Sequence, residues 1–127
     1  MKLRLWIAIV WTSLILIACW LPRSQMPVSE GAPSLLKLIH FDKIVHAGLF
    51  AGFAFLWRRA TSASATSRIL AIGLALAVVT ELGQATSWVG RDADVWDGLA
   101  DAVGVLIGLG GFAILDRRMG PRQILPP

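Results

Sequence analysis

Residues 69–89 read ILAIGLALAVVTELGQATSWV. Apart from short hydroxyl side chains, Glu81 and Gln84 are the only polar interruptions in this run. As a helix rising 1.5 Å per residue it extends roughly 31 Å, about the thickness of a bilayer's hydrocarbon core. Three further runs have the same character. Residues 3–21 carry no charge after Arg4 and stop at Pro22. Residues 39–57 are broken near their start by Asp42, Lys43 and His46 and end at Arg58-Arg59. Residues 97–115 end at Asp116-Arg117-Arg118. Between them lie a Pro-containing loop over 22–38, in which a short interfacial helix is expected at 34–39, a small polar linker over 60–67 and an acidic loop over 90–96. The pattern predicts an all-α integral membrane bundle of four transmembrane helices, with residues 1–127 forming a single domain.

Composition agrees. Of 127 residues, 56% are hydrophobic and 16% charged, and the mean hydropathy is +0.67. A disordered chain needs the reverse balance, and so short a soluble chain could not hide this many apolar side chains. One Cys excludes an intrachain disulfide framework. The net charge of +4 does not indicate nucleic acid, because the basic residues are scattered singly and in pairs among apolar runs.

The charges instead orient the chain. With the N-terminus inside, Lys2, Arg4, Arg58, Arg59, Arg68, Arg117, Arg118 and Arg122 fall on the inner side, leaving Arg23, Lys37, Lys43 and Arg91 outside. Among the acids only Asp116 is inside. This asymmetry predicts an N-in/C-in topology, with Trp6 and Trp57 at the inner interface and Trp20, Trp88 and Trp96 at the outer one. A rival reading takes the first run as a signal peptide, with Leu16-Ile17-Ala18-Cys19 as a lipoprotein-like box. The run is long for an h-region and Trp20-Leu21-Pro22 is a poor mature start, so a span with Cys19 as a small buried residue is preferred.

Ionisable groups inside a membrane are costly and tend to be functional. Counted from the inner charges, His46 lies about 18 Å up its helix, Glu81 about 20 Å and Asp101 about 22 Å. Three helices thus bring a titratable group to nearly one depth. Asp42, Gln84 and Asp97 form a tier just beyond. Asp42 and His46 are i, i+4, and Glu81 and Gln84 are i, i+3, so each pair shares a face. Small residues at Gly48/Gly52, Gly73/Ala77/Thr80 and Gly104/Gly108/Gly111 let helix backbones approach. Together they predict a polar pocket among the last three helices, open to the outside.

In this pocket His46, Glu81, Asp97 and Asp101 are candidate catalytic residues. A base or ligand role is open to His46 and a proton-transfer role to Glu81; Asp97 could instead cap the last helix. Asp42, Lys43, Gln84 and Arg91 are candidate substrate-binding residues, Arg91 as a bidentate grip on phosphate or carboxylate. The alternative throughout is interhelical hydrogen bonding. One imidazole with several carboxylates suits Zn, Mn or Mg. There is no paired-His motif, however, and an ion-pair network explains the same residues, so no cofactor is assigned. Asp101 is expected to be protonated or hydrogen-bonded to a partner at neutral pH.

The ordered set Asp42-Lys43-x-x-His46, Glu81-x-x-Gln84, Arg91, Asp97 and Gly104, with Ser24-Gln25-x-Pro27 after the first span, resembles the VanZ-like family over residues ~5–115. That family commonly has Asn where this chain has Asp101. The resemblance implies a small multi-pass protein of the bacterial cell (inner) membrane, with a namesake associated with resistance to the glycopeptide teicoplanin. It favours binding or modification of an outer-leaflet lipid or lipid-linked wall precursor. The other classes are a small proton- or ion-coupled transporter, for which a homodimer would be needed, and a non-catalytic accessory protein.

Overall fold

A computed structural model describes residues 2–22, 41–90 and 94–119. Four helices account for most of them: α1 (Lys2–Trp20), α2 (Phe41–Ala60), α3 (Thr66–Gln84) and α4 (Val95–Met119), with a 3-10 turn at Ala63–Ala65 leading into α3. No strand occurs among the described residues. The short helix expected at 34–39 lies outside them.

The expected third span is displaced by the structure. Its helix starts at Thr66 and stops at Gln84, five residues before Val89. Local hydrogen bonding ends it. The Thr86 hydroxyl donates to the Gly83 carbonyl at 2.7 Å, and the amides of Val89 and Gly90 both donate to the Thr86 carbonyl. Gly90 takes φ +65°, a conformation open to glycine at little cost. The turn folds Val89 back into the bundle, where it is buried.

α1, the segment Ala63–Gln84 and α4 are each long and apolar enough to cross a membrane. α2 is long enough, but charges crowd both its ends: Asp42 and Lys43 at the start, Arg58 and Arg59 at the finish. The bundle's outer surface is apolar. Leu3, Ile17, Ile72, Val78, Leu106 and Ile114 are among many large side chains facing outward, while His46, Thr80, Gln84, Asp97 and Asp101 are buried. Polar inside and greasy outside is the arrangement of a protein whose solvent is lipid, and the chain is a membrane protein.

The tightest contact is between α2 and α4. A Cβ on Gly104 would fall on the Ala47 carbonyl, and one on Gly108 on that of Ala51. The i, i+4 spacing on both helices lets two backbones meet along one stripe. The glycine stripe stops there, since Gly111 has nothing near it. On α2, Gly48 likewise faces open space, whereas Gly52 lies under the Trp11 indole of α1. The expected Gly48/Gly52 pair is therefore a single packing position, used by α1. Two tryptophans fasten α1 to α2: Trp11 Nε1 donates to the Leu49 carbonyl at 2.8 Å, and Trp57 Nε1 donates to Thr12 Oγ1 at 2.9 Å. Trp57 is thus half-buried against α1, and Trp20 packs over Gly83; Trp6, Trp88 and Trp96 are exposed. Ile15, Cys19, Phe50, Phe53 and Val105 form the apolar core, which places Cys19 where a small apolar residue was expected.

Candidate functional site

The polar site forms at the end of the bundle where α2 and α4 begin and α3 finishes. Gly104 and Ala47 bring α2 and α4 together one turn from the groups that matter. His46 precedes Ala47, and Asp101 lies one turn before Gly104 on the same face. His46 Nδ1 consequently sits 3.0 Å from Asp101 Oδ1, with both side chains buried. Glu81 approaches from α3. Ligand atoms of His46, Glu81 and Asp101 all fall within 4.8 Å of one another, so the three residues placed at one depth by counting along the helices do converge.

Lys43 organises the next layer. Its Nζ donates at 2.7 Å to Asp94 Oδ2 and at 2.7 Å to Asp97 Oδ1. Asp97 is expected above as an alternative cap for the last helix. The structure gives capping to Asp94, whose Oδ1 accepts from the Trp96 amide at 2.9 Å and whose carbonyl accepts from the Asp97 amide. Asp97 is instead buried in the first turn of α4 as a partner of Lys43. Asp94 also donates its own amide to Glu81 Oε2 at 2.9 Å. It thereby ties the starts of α2 and α4 to the end of α3.

Sequence reasoning gave Asp94 no role beyond a charge in the loop. The signal was present: an Asp just before the first apolar residue of a helix, with another acid three residues on, is an N-terminal capping pattern. Asp42, by contrast, points outward. Its side chain is 53% exposed and, among the described residues, meets the Lys43 ammonium at 3.5 Å. The shared face with His46 does not become a shared pocket, since Asp42 is exposed while His46 is buried against Asp101. Arg91 lies outside the described residues.

Several buried polar atoms have no hydrogen-bond partner among the described residues: Glu81 Oε1, Asp101 Oδ2, both amide atoms of Gln84 and the Trp20 indole N–H. Leaving such a group unpaired costs about 1–3 kcal/mol each, more when charged. The first four belong to the expected site residues. An apolar groove of about 440 Å³ between α3 and α4, lined by Leu74, Val78, Leu82, Val95 and Leu99, reaches Glu81. A second recess of about 330 Å³ beside Lys43 is bounded by Ile44, Trp96 and Val103. A larger cavity of about 840 Å³ lies at the other end of the bundle among Arg4, Arg59 and Arg68, and none of the expected site residues lines it.

The geometry offers an imidazole and two carboxylates for proton transfer or ligand binding, beside an ammonium held by two aspartates. In comparisons with known proteins, the family model described as VanZ/LLP1 matches residues 5–116. No curated protein and no solved structure matches the chain.

Proposed function

Because the chain belongs to the VanZ/LLP1 family, we propose that it binds or modifies an outer-leaflet lipid, or a lipid-linked wall precursor, in the pocket formed by His46, Glu81 and Asp101. In this reading residues 1–127 are one domain of the bacterial cell (inner) membrane, with four spans and both termini inside. The reading extends to glycopeptide (teicoplanin) resistance, which the family resemblance implies. α2 is the fourth span: the residues between Lys43 and Arg58 are uncharged apart from His46, and long basic side chains at helix ends can reach the interface. Arg58, Arg59, Arg68, Arg117 and Arg118 gather at the opposite end from the pocket, which supports an outward-facing pocket.

The observation that carries the reading is the groove between α3 and α4. It is lined by alkyl side chains together with the Glu81 carboxylate. A lipid chain suits such a wall, and a polar headgroup suits the unpartnered Glu81 Oε1, with the buried Gln84 and Asp101 behind it. An accessory role in which polar groups only join helices would leave that atom without a purpose.

The test is lipid capture. The full chain, purified in detergent from bacterial membranes, is analysed by native mass spectrometry for retained lipid, alongside Glu81→Gln. The expected outcome is a retained polyprenyl- or acyl-chain lipid in the wild type. Glu81→Gln, which melts like the wild type, should show a loss of about tenfold or more, the size expected when a charged hydrogen-bonding group is removed. Equal capture by Glu81→Gln, or none by either protein, would defeat the reading.

A further inference from the structure

We propose that His46, Glu81 and Asp101 bind a divalent transition-metal ion. The proposal deepens the reading above, since it concerns the same pocket. It rests on three observations. The first is convergence: one imidazole nitrogen and two carboxylate oxygens from three helices lie within 4.8 Å of one another. Ligands of a four-coordinate ion at ~2.1 Å stand roughly 3.4 Å apart, so closing the triad moves side-chain ends by little more than an ångström. The second is the pair of acceptors left over. Asp101 Oδ2 and Glu81 Oε1 are buried and accept no hydrogen bond among the described residues, and Asp101 is fully buried. A carboxylate oxygen can only accept when ionised, and a cation satisfies it.

The third is the charge count. Lys43 is already held by Asp94 and Asp97, so among the described residues it does not neutralise Glu81 or Asp101. Two carboxylates meeting at a buried site cannot both stay ionised cheaply without a cation between them. His46 supplies an imidazole nitrogen, which with two oxygens favours Zn²⁺ or Mn²⁺ over Ca²⁺. Three protein ligands leave coordination positions open, and an anionic headgroup in the groove would have access to them.

The test uses the full chain in detergent, purified on a histidine-free tag and stripped with a chelator. Zn²⁺ and Mn²⁺ are titrated separately, with calorimetry and melting temperature as readouts. The expected result is saturable binding of a single ion with a Kd well below about 1 mM, and a higher melting temperature. Glu81→Gln and Asp101→Asn preserve shape. Each should weaken binding by at least about tenfold, since even outer-shell losses cost that much, while melting like the wild type when metal-free. If one variant fails to fold, the other decides. No saturable binding of either metal, or unchanged binding in a folded variant, would overturn the proposal. Lipid retention measured on the stripped protein is a separate readout, so failure of the metal site and failure of the lipid reading are distinguishable.

Discussion

His46 on α2 and Asp101 on α4, 55 residues apart in sequence, share a hydrogen bond of 3.0 Å in the interior of the bundle. The bond depends on backbone proximity, because Gly104 admits the Ala47 carbonyl one turn away.

Asp101→Asn keeps an oxygen able to accept the His46 N–H. Without metal it should change stability by less than about 1 kcal/mol, whereas Asp101→Leu leaves His46 without that partner and should cost about 1–3 kcal/mol. Unfolding in mixed detergent compares the two. Equal damage by both would show that the bond is not what holds α2 to α4.

Gly104→Ala places a methyl on the Ala47 carbonyl. The helices must separate, at a cost of about 1–3 kcal/mol, the range for overpacking. Gly111→Ala, with open space around its position, should be neutral or slightly stabilising through helix propensity. A Gly104→Ala protein as stable as the wild type would deny the close approach of α2 and α4.

Lys43→Ala removes the cation between Asp94 and Asp97. Asp97, with a side chain only 7% exposed, then faces a second carboxylate. The ammonium is partly exposed, so a loss of about 1–3 kcal/mol is expected, below that for a fully buried pair. Adding Asp97→Asn should recover part of it in a double-mutant cycle. Additive losses would mean that the two residues do not interact.

Orientation can be read with a single Cys. In a Cys19→Ala background, a membrane-impermeant thiol reagent applied to whole cells should label a Cys at Ser87 and miss one at Ser64, both exposed positions on opposite ends of the bundle. The reverse pattern would move the pocket to the cytoplasmic leaflet.

Some of this protein was legible in its residues alone. Long apolar runs of about 20 residues can only be helices in lipid, because each backbone N–H must find its partner within its own segment. Counting 1.5 Å per residue was enough to bring His46, Glu81 and Asp101 to one depth. Depth is a one-dimensional property, and sequence carries it directly.

Which face meets which neighbour is a property of three dimensions. Gly48 and Gly52 are equivalent by spacing, yet only Gly52 lies under another helix, and that helix is α1. Asp42 and His46 share a side of α2, yet one faces out and the other pairs with Asp101. Asp94, unremarkable in its loop, became the junction of three helices once α4 started beside it. Periodicity sets the relative angle of side chains on a single helix. The rotation of that helix against its neighbours is chosen by backbone contacts such as Gly104 on Ala47, so the partners of each polar group were decided only by the tertiary packing.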